Sequence, residues 1–330
     1  MGVGRERLAT SFVLAGRENG FTPEKTRSAA NRAVREYRSA MAEFAAARNL
    51  DIWSSQLTVD KIEAMVPKKR DMKRVEKAAA KARSRDVLKA TAKLTEPGDG
   101  ALRIADHPPL LVPLRTLPED IADRRHHYAK QSWDLYLNSL RDDRRVLVER
   151  YRMLDVALKV VGVGSVGTRC MLVLFEGRDD DDPFLLQVKE AEASVLEAHL
   201  GPSSYDTPGE RVVTGRRLIQ ASGDIFLGWS ASDTGHHYYW RQFHDMKGSA
   251  DVAAQGPRRL ELYAEMCGWT LAHAHARSGD PIAISGYLGT GDSFDKATTR
   301  FAEAYADQND ADYAAFQHAI RSGRIDVADG

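Results

Sequence analysis

The chain is short of cysteine, of net charge and of long apolar runs, and each shortage removes a class of protein. Its 330 residues include two cysteines, Cys170 and Cys267. Two are too few for a disulfide framework or a cysteine zinc site, and both fall in apolar stretches that predict buried, reduced thiols. Lys+Arg and Asp+Glu both number 47, so overall charge gives no attraction to nucleic acid or to an anionic membrane. Any electrostatic function must be local. The opening MGVGRERLATSFVLAGREN has an apolar run too short for a secretory signal, and Glu6 breaks the N-myristoylation pattern. No window approaches the roughly 20 apolar residues of a membrane span. These shortages predict a cytoplasmic chain without a membrane partner. With 43% hydrophobic and 28% charged residues, it has the composition of a globular protein of one large domain or two modest ones.

Residues 1–153 read as mostly helical. Thr22-Pro23-Glu24 supplies an N-cap, a proline at the first helical position and an early acid. Ala30, Val34, Tyr37, Met41 and Phe44 then recur at helical spacing, and Leu50 to Trp53 ends that helix in an apolar turn. Segment 59–94 is alanine-rich and basic, with twelve Lys/Arg against five Asp/Glu. A Pro-rich connector follows over 95–118, and from Glu119 to Met153 the helical pattern returns. Over 154–256 the texture changes. DVALKVVGVGSVGTRCMLVLFEG and PFLLQVKEA are β-type runs separated by an acidic turn, and a short helical piece spans Ala191 to Leu200. ERVVTGRRLIQ, DIFLGWS and HHYYWRQFHD then alternate short apolar runs with Gly, Ser and Asp, the last resembling a sheet strand. From Pro257 the chain is helical again, with Leu260, Ala264, Cys267 and Leu271 on one face. A last helix is expected from Ser293 to about Arg321, and this region, 257–330, is expected to pack with the N-terminal helices.

Inside the β-rich lobe, Gly162, Gly164 and Gly167 fit G-x-G-x-x-G. A dinucleotide fold would follow the last glycine with a helix. Here Thr168 to Phe175 is an apolar, β-prone run, so the dinucleotide reading fails. Strand, glycine loop, strand, turn and a strand bearing a lysine is the other known use of this spacing. Backbone N–H groups of the loop, with Ser165 among them, then cover nucleotide phosphates, and the lysine reaches them. Lys189 in FLLQVKEA has that setting, and the other reading of the same residues is a glycine-rich β-turn beside a snorkelling strand-end lysine. Glu192 and Glu197, the latter about two helical turns on, are the candidate partners of Lys189, and a solvated helix-face acid is the other reading. The catalytic half of a phosphotransferase is missing. Asp280 stands near the place of a catalytic-loop Asp, but Ser285 holds the Asn position, and Asp292 and Asp295 have no metal-binding frame.

The stretches VGVGSVGTRC, LLQVKEAEASVLE, ASGDIFLGW, RQFHDMKGSADV, CGWTLAHAHARSGD and FAEAYADQNDADY, with RLATSFVLAGRENGF and MAEFAAARNLDIW, closely resemble the bacterial family catalogued as domain of unknown function 2252. The resemblance implies an α+β, kinase-like fold, circularly permuted relative to ordinary kinases. A small antiparallel glycine-loop sheet lobe would be flanked by mainly helical regions. It implies ATP or another nucleotide at Gly162, Gly164, Ser165, Gly167, Lys189 and Glu197, with Mg held only through the nucleotide. Members of that family carry Gly-Asp-x-His-x-x-Asn-like and Asn-Asp-Phe-Asp-like stretches upstream of the RLA element. This chain begins just after that point, which implies a truncation, a misplaced start or a split protein whose missing segment comes from a separate chain. Alone, it is then expected to bind nucleotide without phosphoryl transfer.

Arg241, Asp245 and Lys247, in RQFHDMKGS, either line a cleft or cap a strand end. His126-His127, His236-His237 and His273-x-His275 lie too close along the chain to share one metal, and no ligand set completes them. No Gly-x-Ser-x-Gly elbow supports a serine hydrolase. The alternative to the kinase-like reading is a helical interaction protein, whose segment 59–94 binds nucleic acid or an acidic partner in a salt-dependent way.

Overall fold

The computed structural model describes residues 2–58, 62, 91–98, 100–162, 167–179, 182–243 and 250–326, with backbone only at 2 and 120–126. In chain order the elements are α1 (Gly2–Glu18), α2 (Pro23–Ala46), α3 (Asn49–Ser54), β1 (Thr95–Pro97), β2 (Leu102–Ile104) and β3 (Leu111–Pro113). Next come α4 (Glu119–Ser139), α5 (Asp142–Val148), β4 (Arg152–Lys159), β5 (Cys170–Glu176), β6 (Pro183–Ala191), α6 (Glu197–Leu200) and α7 (Pro208–Ile219). The chain continues through β7 (Gly228–Ala231), β8 (His237–Gln242), α8 (Pro257–Ser278), α9 (Pro281–Leu288) and α10 (Ser293–Arg321). It is a mixed α+β chain with antiparallel sheets. Two compact units divide it: residues 1–72 with 249–330, and residues 73–248.

The first unit is helical. Thr22 caps α2 with its side chain on the Lys25 N–H and Pro23 at the first turn, as the sequence predicts. Ala29, Ala30 and Ala33 of α2 are fully buried, as are Ala264 of α8 and Ala302 and Ala306 of α10. Small side chains let the backbones approach closely: a Cβ on Gly268 would collide with the Ala33 carbonyl oxygen. Asp280 is a helix cap, its Oδ1 accepting from the N–H groups of Ile282 at 2.9 Å and Ala283 at 3.1 Å. Leu50 to Trp53 belongs to the separate short helix α3 rather than to the end of α2.

The second unit is built on a six-stranded antiparallel sheet of order β3-β4-β5-β6-β8-β7. Because strand side chains alternate between faces, β6 sends Phe184, Leu186 and Val188 to one side and Leu185, Gln187 and Lys189 to the other. The first side packs on α4. Tyr136 stacks on Trp240 at 4.6 Å and donates its hydroxyl to the Phe226 carbonyl at 2.9 Å. The second side has an apolar half, where Ala157, Leu172, Leu174, Leu185 and Phe243 meet Ile104 and Leu111. A bulge in β4 turns Asp155 inward, where it accepts the Ile104 N–H at 2.9 Å and pairs with Arg115.

Three sequence expectations need correction here. ERVVTGRRLIQ belongs to a helix, α7, and not to the sheet. Thr207 caps it by accepting the Glu210 N–H at 3.2 Å and Pro208 sits in its first turn, the same signature that marks α2. The helical piece after β6 is limited to Glu197–Leu200, and the strand β4 begins at Arg152, inside the stretch expected to be helical. The basic segment lies, except for Ile62 and its last few residues, outside the described residues.

Candidate functional site

The hairpin joining β4 to β5 carries the glycine motif. Gly162 and Gly167 are exposed, and Gly167 has φ +83°, a left-handed conformation that a side chain disfavours. Gly164 and Ser165 lie outside the described residues, as do Asp245 and Lys247. The register of the sheet then determines what lies beside this hairpin. Lys189 pairs across with Cys170 on one side and with Tyr239 on the other. Gln187 stands opposite Arg241.

These residues share the polar half of the sheet's second face. Arg241 donates two hydrogen bonds, from Nε at 3.0 Å and Nη2 at 2.7 Å, to Gln187 Oε1. Gln187 in turn donates from Nε2 to Cys170 Sγ at 3.3 Å. Lys159, at the end of β4, places its ammonium 5.9 Å from the centre of the Phe243 ring. Helix α7 adds Arg216, half-buried within electrostatic reach of Arg241 and Tyr239. Burial, and then the charge of Arg241, holds the Arg216 guanidinium below its ordinary pKa, against an opposing pull from Tyr239 and Asp224. Burial also pushes the Cys170 thiol up, while Lys189, Gln187, Lys159 and Arg241 pull it down.

Lys159, Lys189, Arg216 and Arg241 have no carboxylate partner among the described residues. Asp224, whose charge acts on Arg216, spends both oxygens on backbone N–H groups, at 2.9 Å to Phe226 and 2.7 Å to Gln242. Four cations gathered on one partly buried face, fixed by strands and a capped helix, favour an anion. The arrangement can hold a polyanion and, with glycine at the hairpin, bring backbone N–H groups close to it.

Glu197 is not brought to Lys189. Its Oε1 accepts the Ser194 N–H at 2.9 Å and lies 3.8 Å from Arg211 Nε. Sequence reasoning missed Lys159, Gln187, Cys170 and Arg216. The first could have been found from strand alternation before the loop, and Arg216 from the Thr207-Pro208 helix signal. The histidines are used individually: His273 Nε2 meets the Ile52 carbonyl at 2.8 Å, His275 Nδ1 the Tyr37 hydroxyl at 2.8 Å, and His236 Nδ1 the Glu190 carboxylate at 2.9 Å. Among the described residues no three His, Cys, Asp or Glu side chains gather in a way that could hold a metal ion. Among the same residues no helix is long and apolar enough to cross a membrane.

Residues 5–319 match a family described as an uncharacterized protein conserved in bacteria (DUF2252). The chain belongs to this family. The match runs through both units and includes the glycine hairpin, Lys189, Arg216 and Arg241. No curated protein and no solved structure matches the chain. Family membership therefore names no substrate, and the chemistry of the DUF2252 site rests on its own residues.

Proposed function

We propose that the sheet unit is a kinase-like nucleotide-binding module, and that its cationic face takes the phosphates of ATP or a related nucleotide. The observation that carries this reading is the set of four cations without acid partners beside a glycine hairpin. The strand order supports it. A hairpin with glycines, a third strand bearing a lysine, a helix and two further strands, with the fifth strand paired to the third, is the connectivity of a kinase small lobe. Lys189 sits on the third strand of that series, and α7 stands where the small-lobe helix belongs. Its nearest ionic contribution to the face is Arg216 rather than a glutamate, so the face favours phosphate charge more than a lysine–glutamate pair would.

Catalytic Asp, Asn and metal-binding Asp motifs have no counterpart in these 330 residues. On this reading the family order is circularly permuted, Mg arrives with the nucleotide, and phosphoryl transfer needs residues outside these 330. The test is thermal unfolding with and without millimolar Mg-ATP. The wild-type protein should be stabilised and Lys189→Ala should lose most of the shift. A folded wild-type protein with no shift, or a shift unchanged in Lys189→Ala, overturns the assignment.

A further inference from the structure

On the opposite side of the sheet, away from Lys189, α4 and the strands surround a cavity of about 470 Å³. Its floor is apolar and buried, with Val156 and Val188 at the bottom, and Leu158, Met171 and Tyr128 form part-exposed walls. A pocket of this size with an apolar lining and few polar groups is the ordinary form of a small-molecule site. What distinguishes it is the chemistry at its mouth.

Arg169 and His236 stand there around the buried carboxylate of Glu190. Glu190 Oε2 accepts the Arg169 backbone N–H at 2.8 Å. Its Oε1 accepts Arg169 Nη1 at 2.9 Å and meets His236 Nδ1 at 2.9 Å. Arg169 Nη1 also lies 3.2 Å from His236 Nδ1. Three of the carboxylate's acceptor positions are thereby taken by groups of the protein. Arg169 keeps Nε and Nη2 uncommitted, with the side chain half-exposed at the cavity mouth. The guanidinium therefore offers two surplus charged donors at the mouth, beside the hydroxyls of Ser232 and Thr234, which can donate or accept. An occupant that brings an acceptor can use them, and an anionic one forms the stronger, charge-assisted bond to a guanidinium.

We infer that this cavity binds an amphiphilic small molecule, a medium-length hydrocarbon body with a carboxylate head, its body on Leu158, Met171 and Tyr128 and its head on Arg169. The site is independent of the nucleotide reading, because the cavity and Lys189 are on opposite faces of β6.

The experiment is equilibrium binding to the full chain, followed by calorimetry and by the fluorescence of Trp240, which borders the cavity. The probes are decanoate, decanol and decyltrimethylammonium, each below its micelle concentration. Decanoate should bind about tenfold or more tightly than decanol, as a charge-assisted hydrogen bond implies, and the cationic probe should bind least. Met171→Trp, placing bulk on a part-exposed wall, should abolish decanoate binding, and Arg169→Gln should bring decanoate and decanol together. Lys189→Ala should leave decanoate binding unchanged, which separates this site from the phosphate face. Wild-type protein that binds none of the probes, or binds decanol as well as decanoate, overturns the assignment without recourse to any variant.

Discussion

The helix interfaces of one unit and the polar face of the other treat positive charge in opposite ways. In the helical unit the arginines along the helix interfaces are matched to acids. Arg17 meets Asp307 at 2.6 Å and Asp310 at 2.7 Å, Arg27 meets Glu303 at 2.8 Å, and Arg32 meets Glu265 at 2.6 Å. Arg38 binds the buried Asp295 through Nε at 3.0 and 3.1 Å and through Nη2 at 2.8 Å. In the sheet unit the four cations of the polar face form no ion pair with a carboxylate among the described residues; Arg241 bonds a glutamine and Lys159 approaches an aromatic ring. Paired charge fixes helix register and is satisfied within the fold. Unpaired charge on a rigid sheet is a standing cost, which a bound anion removes.

The comparison is sharpest at Arg38. Removing this side chain leaves Asp295, almost fully buried, without its counter-charge. Arg38→Ala should destabilise the helical unit by about 3–5 kcal/mol, the usual penalty for half a buried pair. Urea unfolding followed by circular dichroism measures it. A loss below about 1 kcal/mol would place the pair among surface contacts of little worth.

His275 gives the next largest effect. Its ring bonds the Tyr37 hydroxyl, and burial first, then nearby positive charge including Arg5, holds its pKa at about 4, below the ordinary 6.5. Arg5 departs from that pairing, a buried guanidinium stacked over Phe294 at 4.6 Å and Tyr37 at 5.3 Å. Between those two pKa values the unfolded chain takes up a proton that the folded chain refuses. Stability is then full above about pH 6.5 and is lost as pH falls towards 4. After allowing for partial exposure the loss should be about 1–2 kcal/mol. His275→Gln should remove that component of the slope in unfolding curves collected between these pH values.

The smallest effect is expected where charge is unpaired. Arg216→Leu removes a half-buried cation beside Arg241, so without ligand it should leave stability within about 1 kcal/mol of wild type or raise it. The same substitution should weaken the thermal response to Mg-ATP. If Arg216→Leu costs as much as Arg38→Ala, the contrast between the units fails and the face is structural.

Much of the element map was legible in the sequence. The glycine-flanked β runs became β4, β5 and β6, and the last helix occupies Ser293–Arg321 as expected. Helix α2 was announced by Thr22-Pro23-Glu24. Helix α7 carried an equivalent announcement in Thr207-Pro208-Gly209-Glu210, but its short apolar runs imitated strand alternation. Glu197 was the reasonable acid by separation along the chain. In the fold the short helix α6 turns its carboxylate to Arg211 instead.

The sequence by itself determined that this is an α+β chain with a glycine hairpin followed by a strand lysine, because capping residues and hydrophobic periodicity are local signals. It could not determine which charges would meet. Lys159, Gln187, Lys189 and Arg241 share a face only because strands alternate with period two and the sheet orders β6 beside β8. Arg216 joins them only because α7 packs on those strands. The shortage of acids around them is likewise a tertiary fact, since the chain as a whole carries as many acids as bases.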